Sequence, residues 1–302
     1  MSNIYSNDAY KRERKRPVSG SAVVRIVIWS MVFCLLTGVF ALAMVRHGLG
    51  GGFGSINVGS YWYDEADYRV GSGSTREMVD EISIDWISGS VTVIQGEGDE
   101  IVVSETYDGT DDDQMLRWKV EEGELTIKFS KPVLFGSVSS ARKDLTVVIP
   151  SSMAVGLDEI RISAVSATQS IAVPARELDI ETVSGSVDVK GSFGSVDIET
   201  VSGNLAFEGS VKDLSIDCVS ARAEIRLTEQ ADSLEVDTVS GDVTLILPES
   251  TTGFRVHTDA LSNRVDIRGF DVGSDRKWGD GRMEIRVDAV SAKLFVEKET
   301  KD

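Results

Sequence analysis

Residues 178–247 read LDIETVSGSVDVKGSFGS (178–195), VDIETVSGNLAFEGSVKD (196–213), LSIDCVSARAEIRLTEQADS (214–233) and LEVDTVSGDVTLIL (234–247). Each block holds an alternating apolar/polar run, a Val-Ser-Gly-like corner and a second alternating run. Similar corners occur outside this stretch, so the corner serines are Ser88, Ser166, Ser184, Ser202, Ser220, Ser240, Ser262 and Ser291, with spacings of 18, 18, 18 and 20 from Ser166 to Ser240. A fixed period near 20 residues is the mark of a stacked repeat. In the copy at Ser184, Leu178, Ile180 and Thr182 share one parity and Asp179 and Glu181 the other, which is the period of a strand with one buried and one wet face.

The residue after the corner serine is Gly89, Gly185, Gly203 or Gly241 in four copies, Asn263 in one, and Ala167, Ala221 or Ala292 in three. Alanine three times makes small size the main demand, because coils stack closely there. One unit is too short to bury its own apolar face. Stacking copies at about 4.8 Å makes a continuous core and aligns the serines as a ladder. The expected fold is all-β, a repetitive β-solenoid with about two strands per coil. A sandwich of hairpins remains open, since short strands with regular turn signals suit it too.

The chain has 302 residues and a net charge of −18, unevenly spread. Removing the +4 of residues 1–25 and the charge of Arg46 leaves −23 on residues 47–302. So acidic a domain repels nucleic acid and anionic lipid, which excludes DNA and RNA as partners.

The expected organisation has four parts. Residues 1–25 form a basic cytoplasmic tail that includes Lys11-Arg12-Glu13-Arg14-Lys15-Arg16. Residues 26–46 form a transmembrane helix, with Ile26–Val45 twenty residues without a charge, enough at about 1.5 Å per residue to cross a bilayer core of about 30 Å. Residues 47–78 form a Gly/Ser-rich tether with an aromatic patch at Tyr61, Trp62, Tyr63 and Tyr68, expected to rest at the membrane interface or against the adjoining domain. Residues 79–302 form the β-repeat ectodomain. The basic cluster before the apolar run places the N-terminus in the cytoplasm and the domain outside. A cleaved signal peptide, with Ala41-Leu42-Ala43 at the cleavage site, is the competing reading; the length of the apolar run favours an uncleaved anchor.

No catalytic constellation emerges. His47 and His257 are the only histidines and lie far apart in sequence, so neither a Ser-His-Asp arrangement nor a zinc site is easily assembled. Carboxylates recur at the repeat period, with no pair singled out for glycoside chemistry. Asp111-Asp112-Asp113 lacks the glycine and terminal glutamate of a calcium-binding loop and reads as solvated. Cys218 fills the inward slot held by Thr182, Thr200 and Thr238 in neighbouring copies and reads as core. No enzyme and no resident cofactor are expected.

One pattern carries chemistry. Three residues before each corner serine stand Asp85, Ser163, Glu181, Glu199, Asp217, Asp237, Asp259 and Asp288, all of outward parity. Stacked, they form a carboxylate ladder in which like charges on adjacent strands repel. A solvated, aggregation-resistant face explains it; a face that binds Ca²⁺ or a cationic peptide explains it too. Self-association through an edge coil is a further mode.

The opening Ile84-Asp85-Trp86-Ile87-Ser88-Gly89-Ser90-Val91, with the Val-Ser-Gly-x-Val copies that follow, resembles the bacterial adhesin-type β-strand-repeat domain of unknown function found in Gram-positive surface proteins. The resemblance covers about residues 80–296. It implies a cell-envelope protein with a solenoid-like ectodomain, and relatives tied to envelope stress and cationic antimicrobial peptides. It supplies no catalytic residues, and Ala167, Ala221 and Ala292 depart from its glycine pattern.

Overall fold

The repeat becomes a stack of parallel coils in a computed structural model that describes residues 63–132 and 142–299. The tail, the Ile26–Val45 run, Tyr61 and Trp62 lie outside the described residues. Among the described residues no helix is long and apolar enough to cross a membrane.

The strands are β1 (Arg69–Val70), β2 (Gly73–Thr75), β3 (Glu81–Gly96), β4 (Ile101–Thr106), β5 (Arg117–Glu121), β6 (Glu124–Lys128), β7 (Lys143–Pro150), β8 (Glu159–Ala172), β9 (Ala175–Leu227), β10 (Ser233–Leu247), β11 (Gly253–Arg268), β12 (Lys277–Gly279) and β13 (Met283–Lys298). The first two fall inside the 47–78 stretch expected as a tether. β9 alone is 53 residues long, because three coils follow one another without the chain leaving extended conformation.

Parallel pairing on both sides of each corner builds the stack. β3 pairs with β8 from Glu81↔Glu159 to Trp86↔Ala164, and again from Ser88↔Ser166 to Ile94↔Ala172. β8 pairs with β9, β9 with β10, and β10 with β13, all parallel and with corner serine opposite corner serine. A chain that pairs parallel with itself 18 residues on must travel once round a coil in between. The inward columns then meet in one core: Ile82, Ile160, Leu178, Leu214, Leu234 and Ile285 of the first half-coils are at most 2% exposed. The second half-coils add Val91, Val189, Phe207, Ile225, Leu245 and Val296, equally buried. Antiparallel strands close the N-terminal end: β5 on β6, β1 on β5, β4 on β7 and β2 on β4.

Two features correct a simple stacked solenoid. The sheet is open, its path running from β1 to β12 without closing on itself. The coils also do not stack in sequence order at the C-terminal end, where β13 lies between β10 and β11. Ser240 and Ser262 therefore both pair with Ser291 rather than with each other.

The corner uses two devices. A Cβ on Gly203 would stand 1.9 Å from the Gly185 carbonyl oxygen, so coils do approach closely. Gly89, Gly185 and Gly203 also take φ of 107°, 136° and 154°, a region that favours glycine. The alanine copies and Gly241 do without a positive φ, so only three of the corner glycines add a conformational demand to the size demand. The Ser184 hydroxyl reaches the Val165 carbonyl at 3.4 Å rather than its neighbouring serine. The corner is instead braced from within: Thr182, Thr200 and Thr238 donate to the carbonyls of Ser184, Ser202 and Ser240 at 3.3, 3.4 and 3.2 Å. Cys218 stands between Thr200 and Thr238 in this column, 4% exposed, and burial pushes its thiol pKa up.

Candidate functional site

Outward residues of the first half-coils come from strands that alternate strictly, so every second side chain joins one face. In four consecutive coils these positions are Glu177, Asp179 and Glu181; Ser195, Asp197 and Glu199; Asp213, Ser215 and Asp217; Ser233, Glu235 and Asp237. Nine of twelve are carboxylates and the rest are serines. The register Asp213↔Ser233, Ser215↔Glu235 and Asp217↔Asp237 packs them side by side. The opposite face of the same coils mixes signs, with Lys190–Glu208 at 3.5 Å and Arg226–Glu224 at 4.0 Å. A charge placed only for solubility would have no reason to choose one face.

The expected ladder is realised in part. Asp85 is neutralised by an ion pair with Lys128 of β6, its register partner, and Ser163 interrupts the row. Glu181, Glu199, Asp217 and Asp237 form no ion pair within 4.0 Å among the described residues. The row continues to Asp288, whose carboxylate accepts from the Asp259 N–H at 3.2 Å, so Asp259 ends the row instead of following Asp237. Among the described residues cations reach these columns from the borders, Arg161 to Asp179 at 3.7 Å, Arg176 to Glu177 at 3.8 Å and Arg286 to Glu235 at 3.7 Å. Reading by corner position alone misses the second column, Asp179, Asp197 and Glu235. Its signal was in the sequence, as acids two residues upstream of the ladder.

The electrostatics are those of crowded anions. Two unit charges about 5 Å apart repel by roughly 1 kcal/mol in water and about 3 kcal/mol at an effective dielectric near 20. Burial raises the pKa of Asp197, helped by Asp179 and Glu181. Burial likewise raises Glu199, Asp217 and Asp288. Asp237 is pushed up to about 7, first by burial, then by Asp217, Asp288 and Glu235, against a downward pull from Arg286. Asp237 is 8% exposed, and its Oδ1 is buried without a hydrogen-bond partner. The face carries a groove of about 350 Å³ lined by Asp179, Ser195, Asp197, Asp213, Ser215 and Glu235 among others.

Among the described residues no group of three or more His, Cys, Asp or Glu side chains is arranged to hold a metal ion; the acids lie in rows rather than in a cage. His257 pairs with Glu284 at 3.3 Å, both half-exposed. The Asp111–Asp113 loop forms a short 3₁₀ turn whose Asp111 carboxylate accepts from the Asp113 N–H at 3.0 Å. Tyr63 and Tyr68 rest against the domain, their rings 5.1 Å apart, with the Tyr63 hydroxyl donating to the Ser130 carbonyl at 2.7 Å.

Stacked parallel coils with a regular corner define a β-repeat domain. The model of the Toastrack DUF4097 domain matches twice, over residues 79–211 and 166–277, and the chain belongs to this family. The family's function is unknown and it is not a known enzyme family.

Solved structures to which this chain is similar include a candidate cell-adhesion protein from Clostridium sporogenes, 11% identical, covering 76% of this chain and 100% of that one with a TM-score of 0.33. A candidate adhesin from Bacteroides fragilis is 13% identical, over 76% and 97% of the two chains, with a TM-score of 0.44. A candidate lipid-binding protein from Parabacteroides distasonis is 15% identical, over 76% and 97%, with a TM-score of 0.28. No curated protein matches.

Proposed function

We propose that this chain is a non-enzymatic binding module of the bacterial envelope, held by residues 26–46 as a single-pass anchor with the β domain outside. Its acidic face receives a cationic peptide. The observation that carries this reading is the concentration of nine carboxylates and no base at the twelve outward positions of four coils, with the Asp237 Oδ1 buried and without a hydrogen-bond partner among them. A cationic ligand relieves the repulsion and stabilises the ionised form of every acid in the rows. An extended lysine- or arginine-bearing segment suits rows of carboxylates spaced at strand distance better than a compact metal ion does. Ca²⁺ is the alternative ligand.

The test is thermal melting of the full chain in detergent micelles with polylysine, with millimolar Ca²⁺, and with sodium chloride of matched ionic strength. A ligand at about 100 times its Kd raises the midpoint by roughly 5–10 °C for a domain of this size. The expected result is such a rise with polylysine, largely lost in an Asp197→Asn/Glu235→Gln variant. A rise with Ca²⁺ alone would transfer the face to metal ions. No rise beyond the salt control, or a full rise in the variant, would overturn the proposal.

A further inference from the structure

The two ends of the stack are finished differently. At the N-terminal end the outermost strands are β1 and β2, only 2 and 3 residues long, which is how folded proteins blunt an edge. At the C-terminal end β12 pairs with Gly253, Phe254 and Arg255 of β11. A plug of Phe254, Phe270 and Trp278 rings, 4.8–5.8 Å apart, caps that half of the coil. The other half, residues 264–268, pairs with β13 on one side and, among the described residues, with no strand on the other.

The core shows the consequence. In the neighbouring coils Leu294 and Val296, and Val243 and Leu245, are at most 2% exposed. Their equivalents Val265 and Ile267 are only partly buried. A terminal repeat needs a cap on its apolar side, and this half-coil has none in the described chain.

The sequence of that edge is Arg264-Val265-Asp266-Ile267-Arg268, and it is self-complementary. Two such strands paired antiparallel about Val265 place Arg264 of each copy opposite Asp266 of the other. A register about Ile267 places Asp266 opposite Arg268. Either way unlike charges face across the strands while the apolar residues extend the core. Like charges on an edge strand would have blocked such pairing.

Among the described residues the two ends of the chain lie on other strands: the Glu299 N–H bonds to the Leu247 carbonyl of β10 at 2.8 Å, and the Tyr63 hydroxyl to the Ser130 carbonyl beside β6 at 2.7 Å.

We infer that the outer edge of β11 at residues 264–268 is a docking edge for a second copy of this chain, joined antiparallel about a two-fold axis. Such an interface is isologous, and it closes the pair rather than propagating a filament.

Sedimentation of the full chain in detergent micelles over a range of concentrations tests this. The expected result is a monomer–dimer equilibrium whose dissociation constant rises tenfold or more in Asp266→Arg. A charge swap should then recover the dimer: Arg264→Asp/Asp266→Arg for the Val265 register, Asp266→Arg/Arg268→Asp for the Ile267 register. Melting verifies that each variant folds, and Arg264→Glu replaces Asp266→Arg if that variant does not. A monomer at every concentration overturns the inference. So does a dimer indifferent to Asp266→Arg, which would be held through another surface such as residues 26–46, or failure of both swaps to recover association.

Discussion

Asp237 has the outward parity of a solvated acid and yet is almost out of contact with water. Neighbouring strands hold Asp217 and Asp288 opposite it, and its raised pKa of about 7 follows from burial before charge. The sign of the stability effect is fixed by that direction. The folded state holds a proton that the unfolded chain, with an ordinary pKa near 3.9, has released. Stability therefore falls as pH rises from about 4 to 7, and the loss is complete above the folded pKa. Asp237→Asn removes the buried charge. It should stabilise the protein at pH 8 by on the order of 2 kcal/mol, with the gain vanishing near pH 4; urea unfolding at the two pH values measures it. A gain independent of pH would mean the carboxylate is not the cause. The column could be read from sequence, but the burial could not, since it depends on how closely flanking coils crowd one outward position.

Among the elements, β7 shows what periodicity hides. Alternation of Leu145, Val147 and Ile149 with polar or half-exposed neighbours reads as a strand over 145–149, and the structure extends it to Lys143–Pro150. Lys143 is 1% exposed and pairs with Glu105 of β4 at 2.5 Å. Its ammonium donates to the Gln114 carbonyl at 2.8 Å and to the Phe129 carbonyl. The rings of Phe129, Trp86 and Tyr107 surround it at 4.0, 5.1 and 5.6 Å. Desolvation lowers the lysine's pKa and Glu105 opposes that shift. One side chain thus ties β3, β4 and β7 to the segment before β5, where the chain between the corners of Ser88 and Ser166 has no repeat to follow. Removing one partner of a buried pair strands the other charge, so Lys143→Met should cost about 3–5 kcal/mol. Lys143→Met/Glu105→Leu should recover most of it. Denaturant midpoints of the three variants check this, and a double variant as unstable as the single one would show that the cage, not the charge pair, carries the stability.

For the whole molecule, the placement of β13 governs the C-terminal coils. Among the described residues β10 and β11 are each hydrogen-bonded to it and not to one another. Stability in a stack is close to a sum of neighbour terms, so a chain ending before Met283 loses two interfaces at once. Hydrogen exchange of that truncated chain should show β11 and β12 unprotected, β10 weakened as a new edge, and β3 and β8 unchanged. Protection retained in β11 would mean that it can re-pair with β10 directly, in the order the sequence suggests.

By itself, the sequence determined the all-β class, the period, the strand parity and the acidic column, because each follows from alternation and spacing along one coil. Alternation at Ile101 and Val103, and at Leu125 and Ile127, falls inside β4 (Ile101–Thr106) and β6 (Glu124–Lys128) for the same reason. The tertiary structure alone decided which coils are neighbours, where the acids are pressed out of water, and which half-coil is left without a cap. Those are facts about pairing between segments far apart in the chain. Copies of one repeat are interchangeable as partners by pattern, so only the closing of the loops that join them selects among the possible orders.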